Sequence, residues 1–255
     1  MAEQASKTSS SLIMPGEVTS TCWSCGDMRA AHFCSACGKV QPPVPVDYFT
    51  FFGLPRKLNL DVSALEREFY ELSRRLHPDV NAQSDPKEQS WSLEKSSQLN
   101  DAYRTLKDPI KRTQYLLKLE GVHLEEQSKD ATEKALANGG IKQQVVPPDL
   151  LEEVFELNVQ LEELRVNKKM GEDDSSLMAD LQKQKDNLDR KLAAAMRELE
   201  GYWHDWDKLI DREHHHGKEV PEADRKQVRD KMVDLLNRRN YVRNLVREVN
   251  NALGA

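Results

Sequence analysis

The densest chemistry in the chain lies in its cysteines. All four fall in one short window, as Cys22-Trp23-Ser24-Cys25-Gly26 and Cys34-Ser35-Ala36-Cys37-Gly38. Two thiolates separated by two residues can grip one ion, and the glycine that follows lets the chain curl back so that backbone N–H groups reach the sulfurs. Two such knuckles, Cys22/Cys25 and Cys34/Cys37, supply a closed tetrahedral four-cysteine site, the form zinc takes in structural rather than catalytic centres. The same residues admit two disulfides, a tetrathiolate iron site or redox-active thiol pairs. Disulfides need an oxidising compartment, and no secretory signal is legible. Redox CxxC pairs open a helix after a strand, and no strand pattern precedes either pair. Structural zinc is therefore the favoured reading, in a module expected to need its metal to fold.

The second constellation is His77-Pro78-Asp79, in the run Arg74-Arg75-Leu76-His77-Pro78-Asp79-Val80-Asn81. Its residue types permit proton transfer, but no nucleophile elbow, glycine-rich phosphate loop or HExxH accompanies them, so no catalytic residue is assigned. His214-His215-His216 is read as a solvated loop, because adjacent histidines do not share a face and no cysteine or carboxylate joins them at metal spacing.

The elements that must position these residues are helical. Leu65, Phe69, Leu72 and Leu76 recur at steps of four, three and four, with Asp61 placed to cap the helix. Pro78 cannot continue that helix and pushes His77 out of the helical region. Trp91, Leu99, Ala102, Tyr103 and Leu106 outline a second amphipathic helix, so the tripeptide sits on the loop of an antiparallel hairpin. Asp108-Pro109 restarts the chain as a short helix through Arg112, Tyr115, Leu116, Leu117 and Leu119. Phe49, Phe52, Leu54, Tyr115 and Leu116 are expected in the core.

Three further helices follow Pro147-Pro148. The first carries Leu150, Leu151, Val154, Leu157, Leu161 and Leu164. The second carries Leu177, Leu181, Leu188, Leu192, Met196 and Leu199 and is expected to run through Trp203 and Trp206. The third starts near Pro221-Glu222 and runs on Val228, Met232, Leu235, Val242, Leu245 and Val249. Each has one apolar face, which predicts an antiparallel three-helix bundle.

Composition agrees with an all-α chain. Of 255 residues 31% are charged and only 6% aromatic, with 11 glycines. A net charge of −6 argues against nucleic acid as main partner. No apolar run approaches the roughly 20 residues of a membrane span. The expected organisation is a disordered tail over 1–20, the four-cysteine zinc module over 21–40, a proline-stiffened linker over 41–46, the hairpin domain over 47–120, a hinge over 121–146 and the bundle over 147–255.

Taken together, Asp47-Tyr48-Phe49-Thr50, Phe52-Gly53-Leu54-Pro55, the His-Pro-Asp loop, Leu99-Asn100-Asp101-Ala102-Tyr103-Arg104-Thr105-Leu106 and Arg112-Thr113-Gln114-Tyr115-Leu116-Leu117 resemble the HscB/Jac-type J-domain proteins of iron–sulfur cluster biogenesis. The cysteine module is similar to the zinc-binding extension of eukaryotic members. The resemblance implies a J-domain followed by a scaffold-binding bundle. It implies a co-chaperone, not an enzyme, that stimulates the ATPase of a DnaK-class chaperone through His77, Pro78 and Asp79 with Arg67, Arg74 and Arg75. It also implies an IscU-type iron–sulfur scaffold as second partner, with a homodimer as one further option. It implies a mitochondrial location, against which stands an N-terminus lacking transit-peptide chemistry, the cytosol being the alternative.

On the bundle, the resemblance points to Leu151, Phe155 and Tyr241 as scaffold-binding residues. Phe155 lies a turn beyond Leu151 and off the Val154/Leu157/Leu161 stripe, and Tyr241 lies one step off the stripe ending Val242, Leu245 and Val249. The competing reading makes all three ordinary core residues. Arg225, Arg229, Arg238, Arg239, Arg243 and Arg247 are read as a solvated basic face. Two rival functions carry their own expectations. A zinc-dependent or thiol-redox enzyme using Cys22, Cys25, Cys34 and Cys37 needs an open metal position or a reactive thiol, and a zinc-ribbon nucleic-acid adaptor needs steeply salt-dependent binding.

Overall fold

The computed structural model describes residues 21–27, 32–122, 147–171, 174–216 and 220–254. The expected tail, and residues 123–146 of the expected hinge, lie outside the described residues. The fold is all-α. Among the described residues the β-type pairing is a single antiparallel bridge between Phe33 and Val40. The chain divides into two compact units, one reaching Leu116 and the other starting at Leu117.

In the first unit, helix α1 (Tyr48–Phe51), helix α2 (Val62–Arg75) and helix α3 (Pro86–Lys107) enclose a core of Phe49, Phe51, Leu58, Leu65, Leu72, Leu76, Leu99, Ala102 and Leu106. Asp61 caps α2 by accepting the Ala64 N–H at 3.0 Å. Phe69 stacks on Tyr103 with ring centroids 4.1 Å apart, which fixes the register of the α2–α3 hairpin. Helix α4 (Pro109–Leu119) is capped by Asp108, whose Oδ1 accepts from the N–H groups of Ile110 and Lys111. Its Tyr115 stacks on Tyr48 at 4.5 Å and its hydroxyl accepts the Tyr48 N–H.

In the second unit a 3-10 turn (Pro148–Leu150) leads into helix α5 (Leu151–Met170), helix α6 (Ser175–His216) and helix α7 (Glu222–Leu253). Leu150, Val154, Leu157, Leu161 and Leu164 pack with Leu177, Leu181 and Leu188 and with Val242, Leu245 and Val249 as one cluster. Helix α6 continues through the buried Trp203 and Trp206.

Two sequence expectations are corrected here. His214, His215 and His216 belong to the last turn of α6 rather than to a loop, and His215 Nδ1 lies 2.8 Å from the Asp211 carbonyl oxygen of the same helix. The basic run on α7 is not uniformly solvated. Arg229 is buried, pairing with Glu120 at 3.2 Å and with Glu222, and Arg225 reaches Glu213 at 2.5 Å. Arg238 pairs with Asp149, whereas Arg243 and Arg247 are exposed. The acidic partners lie outside α7 or at its first residue, so a pattern read along α7 alone could not reveal the pairing.

Asp47 anchors the start of the hairpin domain. Its Oδ1 accepts from the N–H groups of Phe49 and Thr50, and its Oδ2 accepts from the Arg56 guanidinium at 2.9 Å. Burial works to raise its pKa, but the Thr50 N–H and the Arg56 guanidinium outweigh it and hold the carboxyl below its ordinary value. A depressed folded pKa contributes stability that is complete above the unfolded value of about 3.9 and lost as pH falls through the folded one. Asp47→Asn should therefore destabilise the chain by about 1 kcal/mol at neutral pH. The gap should close as pH drops below about 4 in denaturant melts, and a pH-independent gap would show the charge to be idle.

Candidate functional site

The His-Pro-Asp loop is built on the C-terminal end of α2, where the last carbonyls lack partners within the helix. Asn81 supplies them from below. Its Nδ2 lies 3.0 Å from the carbonyl oxygens of Arg75 and His77 and 3.0 Å from Ser92 Oγ. Ser92 and Ser96, from α3, both donate to the Leu76 carbonyl at 2.6 and 2.7 Å. The turn is closed by the N–H groups of Val80 and Asn81, both donating to the His77 carbonyl. Above this buried brace His77, Pro78 and Asp79 are exposed. The His77 ring accepts the Asp79 N–H through Nδ1 at 3.2 Å, which in the neutral ring leaves the proton on Nε2, free to donate. Arg67, Arg74 and Arg75 are exposed on α2, Arg67 and Arg74 on the side opposite Leu65 and Leu72 and Arg75 on the flank beside Phe33. Arg67, Arg74, Arg75, His77, Pro78 and Asp79 are thus all exposed on α2 and the loop that ends it. Nothing in the pattern of α3 marks Ser92 and Ser96 for this task, and Asn81 alone carries a sequence signal. The legible signal was an asparagine just after a proline-broken helix end, a residue type that bonds backbone groups.

The two cysteine pairs fold as near copies. In each, a glycine N–H donates to the first cysteine carbonyl, Gly26 to Cys22 at 3.0 Å and Gly38 to Cys34 at 2.9 Å. Gly26 and Gly38 have φ of 75° and 72°, the left-handed region that glycine enters without strain. The four Sγ atoms lie within 4.8 Å of one another, the one such group of ligating side chains among the described residues. Across the knuckles, Cys22 Sγ lies 3.7 Å from Cys37 Sγ, and Cys25 Sγ lies 3.6 Å from Cys34 Sγ. Tetrahedral bonds of about 2.3 Å put sulfurs about 3.8 Å apart, so the donor set fits one ion. All four cysteines are free rather than paired as disulfides. The Cys22 sulfur also accepts from the Ser24 N–H and the Gln41 amide. Burial works to raise the Cys22 pKa, but these bonds and a further one from the Cys25 backbone bring it down to about 6. Gln41, the first residue of the expected linker, is buried beside it.

The knuckles are docked on the hairpin domain. The Val40 N–H donates to the buried Glu88 carboxylate at 3.1 Å, Trp23 meets Trp91 edge to face at 5.5 Å, and His32 Nε2 lies 2.8 Å from the Phe51 carbonyl oxygen. Burial lowers the His32 pKa to about 4, so the neutral ring donates to that carbonyl at neutral pH. Burial likewise lowers Lys95, whose Nζ lies 3.4 Å from the His32 carbonyl oxygen, to about 8.

On the second unit, Leu151 and Phe155 are exposed, at 53% and 71%, rather than part of the core, and Val159 extends their row by another turn at 52%. Tyr241 is a correction. It is only 7% exposed and belongs to the cluster with Val154, Leu157 and Val242. Helix α7 packs against both α5 and α6, so its buried arc is wide enough to take Tyr241 beside Val242. Exposed Glu152 and Glu156 flank the Leu151–Phe155–Val159 row.

Two measurements check these placements. Phe155→Ala should change stability by no more than about 0.5 kcal/mol, whereas Tyr241→Ala should cost about 3 kcal/mol or more. Comparable losses in thermal melts would return Phe155 to the core. Native mass spectrometry should find one divalent ion per chain, and Cys34→Ser should remove it. Thiols that alkylate readily in the ion-loaded protein would count against a closed four-sulfur site.

Comparison with known proteins places this geometry. The DnaJ domain model matches residues 47–115. The iron–sulfur cluster co-chaperone protein HscB homolog of Arabidopsis thaliana is 33% identical over 143 residues, 56% of this chain and 51% of the relative. The HscB protein of Mus musculus is 40% identical over 111 residues, 41% of this chain and 47% of the relative. The chain thus spans about half the length of these two relatives. The Homo sapiens HscB protein is 30% identical over 173 residues, 66% of this chain and 68% of the relative. Among solved structures, the human co-chaperone HscB shares the fold with a TM-score of 0.54 at 21% identity, over 91% of this chain and 98% of the other. Vibrio cholerae HscB does so with a TM-score of 0.51 at 23% identity, over 81% and 96%. On the J-domain match and the relation to the human protein, the chain belongs to the HscB family of iron–sulfur cluster co-chaperones.

Proposed function

We propose that the chain stimulates the ATPase of a DnaK-class chaperone and delivers to it an IscU-type scaffold carrying a nascent iron–sulfur cluster. The observation that carries the reading is the display of His77, Pro78 and Asp79 on a turn braced from beneath by Asn81, Ser92 and Ser96. A loop held in one shape favours whichever chaperone conformation fits it, and only such differential binding moves a conformational equilibrium. Arg67, Arg74 and Arg75 add a basic flank suited to an acidic chaperone surface. The chain breaks no bond itself.

The exposed Leu151, Phe155 and Val159 supply an apolar anchor for the scaffold, with Glu152 and Glu156 as a polar rim. Both contacts on one molecule raise the local concentration of scaffold at the chaperone, so neither needs high affinity. The ion held by Cys22, Cys25, Cys34 and Cys37 is zinc in this reading. Four thiolates fill its coordination shell and leave no position for water or substrate, so it supplies structure and no reaction step.

His77→Gln should leave melting and scaffold binding unchanged and abolish stimulation of single-turnover ATP hydrolysis. Leu151→Ala combined with Phe155→Ala should weaken scaffold affinity about tenfold or more while stimulation in the absence of scaffold persists. Equal stimulation by the His77 variant would end the chaperone reading, and unchanged scaffold affinity would remove the anchor.

A further inference from the structure

Arg75, the last residue of α2, lies with its guanidinium carbon 3.8 Å from the centroid of the Phe33 ring. Phe33 belongs to the cysteine module, immediately before Cys34. Arg75 also approaches Glu71 at 4.0 Å on the same helix, with both side chains at least half exposed. We propose that Phe33 is a positioning residue for the chaperone contact, stacking Arg75 in the orientation in which it meets an acidic chaperone surface. The inference rests on the chaperone reading above.

A guanidinium stacked on an aromatic ring uses one face, while its N–H donors lie around the edge and stay available to a carboxylate. A long side chain that is already ordered loses less entropy on binding than one that must be immobilised from solution. The ring is itself held. Its backbone pairs with Val40, whose N–H is bound by Glu88, and the preceding His32 is fixed to the Phe51 carbonyl by its side chain. Trp23 bonds the Val40 carbonyl and packs on Trp91. The same stretch of α3 therefore anchors the module, through Glu88 and Trp91, and braces the His-Pro-Asp loop, through Ser92 and Ser96. Arg75 is bound at both ends, its carbonyl by Asn81 and its guanidinium by Phe33.

The test uses the full, ion-loaded chain and four variants: Phe33→Leu, Phe33→Tyr, Arg75→Gln and Phe33→Leu with Arg75→Gln. Phe33→Leu should raise the concentration for half-maximal chaperone stimulation about two- to fivefold and leave the maximal rate unchanged. Phe33→Tyr, which keeps the ring, should behave as the unsubstituted chain. In the Arg75→Gln background Phe33→Leu should have no further effect. In the unsubstituted chain the Arg75 Hε resonance should be shifted upfield by the ring current, and Phe33→Leu should abolish that shift. An unshifted Arg75 signal in the unsubstituted chain overturns the proposal whichever variants fold. An equal Phe33→Leu effect in both Arg75 backgrounds also overturns it. If Phe33→Leu stimulates normally while His77→Gln does not, this inference fails and the chaperone reading stands. If His77→Gln also stimulates normally, both fall.

Discussion

The carbonyl groups at the end of α2 set the terms for everything around them. Proline at position 78 stops the helix where it would otherwise have satisfied them, and Leu76 is fully buried, so water cannot serve as partner. Asn81, Ser92 and Ser96 meet that demand with short side chains from the turn and from α3. One consequence is that the loop cannot move without exposing or orphaning polar groups, each at a cost of about 1–3 kcal/mol. Exposure and rigidity usually oppose each other in loops. Here the exposed tripeptide rests on a layer of hydrogen bonds below it that opposes its movement.

The cysteine module has the same dependence on what lies outside it. A segment of this size cannot bury enough apolar surface to order itself. The two knuckles bring four sulfurs together from within, a set that fits one ion, and α3 closes the module from without through Glu88, Trp91 and Lys95. Glu88 is almost fully buried and accepts the Val40 N–H while Lys39 approaches it at 3.6 Å. A carboxylate in that position is tolerated only while both partners are present. Docking of the module and burial of Glu88 are therefore one event, which couples the cysteine module to the face of α3 that braces the loop.

The local parts of this architecture were legible because they rest on short-range rules. Periodic leucines, Asp61, Asp108 and the two prolines at 78 and 109 mark helix faces and ends, and Cys-x-x-Cys-Gly marks a knuckle by its spacing alone. What was not legible depends on who the neighbour is. Tyr241 looked like a surface residue because it stands one step off its stripe, and only a helix flanked on two sides buries that step. Arg229 looked solvated because Glu120 is 109 residues away. Phe33 carried no signal at all, since its partner Arg75 lies on another element. Propensity and period speak for one element at a time, and all three cases turn on pairs of elements.

Helix α5 shows how the same logic separates an exposed apolar row from a core row on one segment. Val154, Leu157, Leu161 and Leu164 are buried, while Leu151, Phe155 and Val159 recur at steps of four on another side and remain at the surface. Lys191 from α6 reaches Glu153 at 2.5 Å, which pins the helix rotation from outside the core as the leucines pin it from within. With rotation held at both places, Phe155 cannot turn inward without drawing Leu157 into water, and burying one side chain would expose another at about 1.5–3 kcal/mol. The constraint keeps a large aromatic at the surface, beside its neighbours on the same row. Exposed Glu152 and Glu156 border that row, so the same rotation that buries the leucines also sets a negative edge beside the apolar one.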